Sequence, residues 1–152
     1  MKTSKNGIQL IKSFEGCKLQ AYKCPAGVWT IGIGHTGTVN GKPITSGMKI
    51  TELMAETLLA IDLQKFENAI NKLVKKPLTQ SEFDSLVSFV FNIGIGSFQK
   101  SSMLKLLNQG NFEEAAKQFN VWNKITVNGK KVASKGLTRR RLAEKTLFLT
   151  KA

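Results

Sequence analysis

The chain predicts an α+β fold in which a small antiparallel sheet is set apart in sequence from a larger helical part. Three observations carry this. Apolar alternation and clustered glycines follow Gly16, the mark of short strands and tight turns. From Thr51 to about Pro77 the apolar period becomes helical. Beyond Pro77, capping residues recur in front of short helical repeats.

Taken in order, Ile8, Ile11 and Phe14, with Leu10 beside them, predict a first helix over residues 4–15, stopped by Gly16. Turn chemistry at Cys24-Pro25-Ala26-Gly27 precedes an alternating run, Val28 to Ile33. In that run Trp29, Ile31 and Ile33 share one face, and Val28, Thr30 and Gly32 the other, so the segment predicts a β-hairpin. "TVNGKPITSG" adds a turn and a third short strand. Leu53, Leu58, Ile61, Phe66, Ile70, Leu73 and Val74 then outline one long amphipathic helix. Thr79 and Glu82 form a capping box for a helix ending near Gly94. "SSMLKLLNQG" is a further helix, and Asn111 with Glu114 caps another. "VNGKKVASKG" is a loop or small hairpin, and Thr138 is the expected cap of a last helix carrying Leu142, Leu147 and Leu149. The expected organisation is one domain over 1–152. It has a β-rich lobe at about 16–50, a connecting helix at about 51–75, and a helical lobe from 1–15 and 76–152, leaving a cleft between the lobes.

Composition narrows the partners. With 41% hydrophobic and 22% charged residues, the chain reads as an ordinary globular protein. Lys and Arg number 23 against 10 acids, a net charge of +13, which favours anionic partners without specifying a fold. The basic residues are scattered, unlike the gathered patch of a dedicated DNA binder, so nucleic acid is not expected. No apolar stretch is long enough for a transmembrane helix, and the N-terminus lacks the apolar core of a signal peptide. The expected compartment is the cytoplasm of the producing cell, where thiols stay reduced. Two cysteines make neither a disulfide framework nor a zinc site, so no metal and no cofactor are expected.

The candidate chemistry lies in "SFEGCKLQAYKCPAGVWTIGIGHTG". It holds Glu15, Cys17, Cys24 and the chain's single histidine, His35, and no further acid until Glu52. Apolar neighbours and the absence of a second acid suit a carboxyl that must donate a proton. If the hairpin closes, Cys24 and Thr30 approach the end of the first helix, and acid, thiol and hydroxyl gather around one small space.

These residues carry a resemblance. Glu15, eight residues, Cys24, five residues, Thr30 and "TIGIGHTG" resemble the signature of the phage-type lysozymes, the endolysins of T-even and lambdoid phages. "LTQSEFDSLVSFVFNIGIGSF", "SSMLKLLNQGNFEEAAKQF" and "GLTRRRLAE" extend the likeness over nearly the whole chain. It implies a lysozyme-like fold and hydrolysis of the β-1,4 bond between N-acetylmuramic acid and N-acetylglucosamine in peptidoglycan. Glu15 would be the general acid, and Thr30 would help place the attacking water. The family has an acid where this chain has Cys24. That departure leaves three readings: Cys24 working as a thiolate, Glu15 acting alone as in a lytic transglycosylase, or a non-catalytic wall-binding protein.

The resemblance also implies glycan contacts at Phe91, Asn92, Ser101 and Gln118, and an arginine facing Glu15. Arg139 is the first candidate for that arginine, with Arg140 and Arg141 as alternatives. His35 is expected to pair structurally with Asp62; a Cys–His site would instead indicate a cysteine-dependent peptidase or amidase. Cys17 reads as a small buried hydrophobe, or as half of a Cys17–Cys24 disulfide that would block the site. The expected partners are peptidoglycan strands and anionic envelope polymers. The protein is expected to be a monomer that leaves the cytoplasm through a separate holin.

Overall fold

The computed structural model describes residues 1–150. The fold is α+β, with seven helices and small antiparallel sheets. The elements are α1 (Lys5–Glu15), β1 (Lys18–Lys23), β2 (Trp29–Gly32), β3 (Thr38–Val39), β4 (Lys42–Pro43), α2 (Glu52–Leu73), α3 (Gln80–Ile93), α4 (Ile95–Gln99), α5 (Ser102–Asn108), α6 (Phe112–Lys117), β5 (Lys124–Val127), β6 (Lys130–Ala133) and α7 (Lys135–Leu149). A single 3-10 turn, Gln118–Val121, follows α6. The chain divides into two compact units, Ile11–Gln64 and a second made of Met1–Leu10 with the residues from Lys65 onward. Among the described residues no helix is long and apolar enough to cross a membrane.

The unit Ile11–Gln64 is built on the β1–β2 hairpin. Tyr22 pairs with Thr30 and Lys23 with Trp29, and the register shifts between Lys18 and Tyr22. The amides of Ala21 and Ile50 bond to the carbonyls of Met48 and Leu19, so the segment 48–50 runs along the free edge of β1. β3 and β4 form a second, two-residue hairpin around Asn40-Gly41. Both turn residues have positive φ, 52° and 80°, the twist that suits a tight hairpin and the reason an Asn-Gly pair sits there. Ile31, Val39, Ile44 and Leu58 are the buried core of this unit, with Trp29, Met48 and Ile50 packed around them.

The other unit centres on α3 and α7. Residues Phe83 to Val90 of α3 are all buried. Phe89 meets Phe98, Phe119 and Trp122 edge-on at 6.5, 5.1 and 6.0 Å between centroids, and Phe119 meets Phe148 at 5.6 Å. The Thr79–Glu82 capping box closes both ways, which fixes where α3 begins. The N-terminal segment is tied to this unit by acids. Thr3 donates from its amide and its hydroxyl to Glu67 Oε2, at 2.8 and 2.6 Å. Ser4 donates its amide to Asp84 Oδ1 at 3.0 Å and its hydroxyl to Oδ2. Gln80 donates to the same Asp84 at 2.8 Å.

Two expectations from the sequence need correction. In α2, Leu53 and Ile61 are 75% and 55% exposed. The buried stripe is instead Ala55, Leu59, Leu63, Phe66 and Ile70, at intervals of three and four residues, and Leu53 and Ile61 lie on the opposite side of that helix. In the last helix the cap is Ser134, whose hydroxyl accepts the amide of Leu137 at 3.2 Å. Thr138 lies inside the first turn and donates back to the carbonyl of Ser134 at 2.7 Å. Leu142 and Leu149 of α7 face outward.

Truncating Asp84 to Ala removes three donors' shared acceptor at a buried position. This should cost about 3 kcal/mol, measured as a lowered midpoint in urea unfolding. Leu53→Ala, at an exposed position, should change stability by less than about 0.5 kcal/mol.

Candidate active site

The three candidate catalytic residues, and the His35–Asp62 pair, belong to one unit, Ile11–Gln64. Glu15 is the last residue of α1 and is half-buried. Gly34 approaches it closely: a Cβ at Gly34 would lie 3.7 Å from Glu15 Oε2. That is ordinary contact distance, and it is the backbone, with φ 67°, that favours glycine at this position.

Cys24 opens the turn between β1 and β2. Its amide donates to the carbonyl of Val28 at 2.9 Å, and the amide of Gly27 returns to the carbonyl of Cys24 at 2.8 Å. The thiol is half-buried. The backbone N–H of Val28 and then that of Ala26 hold its pKa below the ordinary cysteine range, partial burial opposes them, and the Thr30 hydroxyl adds to the lowering. Donors of this kind lower a thiol's pKa by favouring its anionic form. Thr30 is 4% exposed, and its Oγ1 also donates to the carbonyl of Val28 at 3.0 Å. Its single proton therefore chooses between that carbonyl and the Cys24 sulfur.

His35 is buried, and both of its ring nitrogens face acceptors: Asp62 Oδ2 at 2.7 Å from Nδ1 and the Thr38 carbonyl at 2.8 Å from Nε2. The ring has no nitrogen left to take a proton from Cys24, which removes the geometry a Cys–His peptidase needs. Cys17 and Cys24 are both free thiols. No group of three or more metal-ligating side chains occurs among the described residues.

The remaining candidates lie in the other unit. Phe91 is half-buried and stacks edge-on against Phe66 at 5.3 Å. Asn92 lines a cavity of about 490 Å³ with Ile93, Val121, Trp122, Lys124, Thr126 and Lys131. Ser101 and Gln118 are not among the residues lining that cavity. The Ser101 hydroxyl is consumed in capping α5: it donates to the carbonyl of Phe98 at 2.7 Å and accepts the amide of Leu104 at 3.1 Å. Gln118 is half-buried at the start of the 3-10 turn.

The triple arginine divides by burial. Arg139 is exposed, while Arg140 and Arg141 are 4% and 1% exposed and flank the fully buried Glu144. Arg140 donates to Glu144 Oε2 at 3.2 Å and to the Ser88 carbonyl at 3.1 Å, and Ser88 donates its hydroxyl to Glu144 at 2.6 Å. Arg141 donates to Glu144 Oε1, to Asn92 Oδ1 and, at 2.9 Å, to the carbonyl of Trp122, with its guanidinium over the Phe89 ring. Burial pushes the Glu144 carboxyl up, and Arg141, Ser88 and Arg140 act against that rise. The sequence reading singled out Asn92 and the arginines but not Ser88, Trp122 or Glu144. Glu144 stands four residues after Arg140 and three after Arg141, the spacing of helical ion pairs, which is the signal that could have found it.

Residues 12–144 match the family described as phage lysozyme. The chain is 44% identical to the endolysin of Acyrthosiphon pisum secondary endosymbiont phage 1 over 148 residues, 97% of this chain and 98% of that protein. It is 46% identical over 152 residues to the endolysin of Bacillus phage B103, of whose length it spans only 55%. Among solved structures, the muramidase domain of SpmX from Asticaccaulis excentricus superposes with a TM-score of 0.91 at 45% identity, covering 99% of each chain.

In a Cys17→Ala background, Cys24 is the only thiol, and its alkylation rate should rise with pH through a midpoint lower in the folded protein than in the same chain unfolded in urea. Thr30→Val should move the folded midpoint upward by a smaller amount than the total shift, because the Thr30 hydroxyl is the lesser donor. Equal midpoints in the two states would show that the turn does not stabilise the thiolate.

Proposed function

This chain belongs to the phage lysozyme family, and on that premise we propose that it is a peptidoglycan-degrading endolysin whose glycan-cleaving group is Glu15, Cys24 and Thr30. The bond cleaved is the β-1,4 link between N-acetylmuramic acid and N-acetylglucosamine. The observation that carries this reading is the Val28 carbonyl, which accepts both the Cys24 amide at 2.9 Å and the Thr30 hydroxyl at 3.0 Å and so holds thiol and hydroxyl on one turn. The family position calls for an anion or base, and here a thiol stands where the Val28 and Ala26 amides favour its ionised form.

Glu15 gives its proton to the leaving glycosidic oxygen as the bond to the muramic acid C1 breaks. A water held by the Thr30 hydroxyl attacks C1 from the other side and passes its proton to the Cys24 thiolate. One water is consumed, and each new sugar end gains a hydroxyl. The thiolate also places negative charge near the oxocarbenium-like sugar that forms as the bond breaks. Phe91, Asn92, Ser101, Gln118 and Arg139 are proposed as residues that contact the glycan. Ser101 is the weakest of these, since both functions of its hydroxyl are engaged in the helix cap. The protein is proposed to act as a monomer and to reach the wall through a separate holin.

Glu15→Gln keeps the shape of the side chain and removes its transferable proton. Turnover of purified peptidoglycan should fall by about 10²–10⁴-fold, with folding intact by circular dichroism. A Gln variant with near wild-type turnover would remove Glu15 as the acid.

Cys24→Ser is nearly isosteric but supplies no anion near neutral pH, so it should lose most activity. In the wild type, activity should rise with pH as the thiol ionises, because the working form is the deprotonated one. Cys24→Asp ionises near pH ~4 and should keep activity while moving that rising limb to lower pH. If Cys24→Ser turns over peptidoglycan as fast as the wild type, the thiol is a bystander and Glu15 acts alone, as in a lytic transglycosylase.

A further inference from the structure

The β5–β6 hairpin is a feature that the cleavage chemistry does not use. Its register pairs Ile125 with Val132 and Val127 with Lys130 on one face, and Lys124 with Ala133 and Thr126 with Lys131 on the other. The second face turns Lys124, Thr126 and Lys131 toward the Asn92 cavity. On the first face Ile125, Val127 and Val132 are 45%, 45% and 43% exposed. All eight strand residues are exposed. The turn Asn128-Gly129, with φ of 51° and 78°, holds the ribbon in a tight hairpin. Between Glu114 and Glu144 the sequence contains no acid and eight Lys or Arg residues, three of them in this hairpin.

We propose that the outward face of the β5–β6 hairpin docks on an anionic lipid bilayer, with Ile125, Val127 and Val132 entering the headgroup boundary and Lys130 and its neighbours meeting the lipid phosphates. Aliphatic side chains beside Lys130, with Lys124 and Lys131 at the edges of the same ribbon, are what an interfacial segment combines, since buried apolar area and attraction to anionic headgroups act together there. The other anionic partners fit less well. A glycan strand stacks its sugar rings on aromatic side chains, and the hairpin has none. A soluble polyanion makes no use of exposed isoleucine and valine. Three aliphatic side chains fall far short of the roughly 800 Å² per partner in a stable protein interface. A long, flexible stem lets each lysine reach a phosphate while its methylenes lie along the apolar surface. Bound this way, the enzyme stays beside the membrane face adjoining its wall substrate.

The test is sedimentation of the full chain with phosphatidylglycerol–phosphatidylcholine vesicles and with phosphatidylcholine vesicles alone. The wild type should pellet with the first and remain largely free with the second. The triple variant Ile125→Ser, Val127→Ser, Val132→Ser keeps the whole net charge, and its partition onto the anionic vesicles should fall on the order of 10²-fold. Lys130→Gln should lower it about fivefold. Both variants should degrade isolated, lipid-free peptidoglycan at the wild-type rate, which also shows that they fold. Failure of the wild type to bind anionic vesicles overturns the proposal. So does a triple variant that pellets like the wild type, because the basic surface at large, and not the hairpin, would then be adsorbing. Equal binding to both vesicle types would overturn the role of the anionic headgroups.

Discussion

A five-residue turn, Cys24 to Val28, sets what this site can do. The hydrogen bond from the Cys24 amide to the Val28 carbonyl closes the hairpin, and the amides of Val28 and Ala26 favour the ionised form of the Cys24 thiol. Amides fixed by backbone geometry need no reorganisation when charge appears, which makes them effective partners for an anion. A sequence change at Cys24 alone would alter the side chain but leave the backbone hydrogen bonds of the turn in place. Thr30 is tied to the same turn through Val28, so acid position, thiol and hydroxyl all depend on how α1 ends and how β1 and β2 are joined.

The larger unit is organised by a different device. Glu144 is fully buried and would be costly alone, yet Arg140, Arg141 and Ser88 all donate to it. Losing any one of the three leaves the carboxylate less compensated. Through Arg141 the network also reaches Asn92 and the carbonyl of Trp122, two residues lining one cavity. The conformation of that cavity wall is thus coupled to a buried ion cluster on α7 and not to loop sequence alone. All the strand residues of the hairpin that follows Trp122 are exposed, so its outward face can vary without disturbing the core.

Much of this could be read from the sequence where the cause is local. The capping box at Thr79 and Glu82, the cap at Asn111 and the Cys24–Gly27 turn each depend on residues within four positions of one another, and each is where the pattern put it. The sequence of the hairpin at 124–133 is compatible with loop or strand, because it carries an Asn-Gly turn but no buried face. Sequence and structure diverge where several residues can satisfy one rule. Leu53 and Ile61 are apolar but lie off the stripe through Leu59, Leu63 and Phe66, and only packing tells the two sides apart. Ser134 and Thr138 are both good caps, and Gly136 between them reads as a breaker although it sits in the first helical turn. The burial of Arg140 and Arg141 has the same origin: three identical side chains in a row differ only by helix rotation.

The central claim is that Glu15 and a Cys24 thiolate hydrolyse the muramic acid glycosidic bond with water as the nucleophile or its source. Mass analysis of the sugar fragments released from purified peptidoglycan reads the outcome at the bond itself. The account predicts fragments ending in reducing N-acetylmuramic acid, and incorporation of the heavy isotope at that end when the digest is run in ¹⁸O-labelled water. Fragments ending in 1,6-anhydro-muramic acid, with no label, would contradict it.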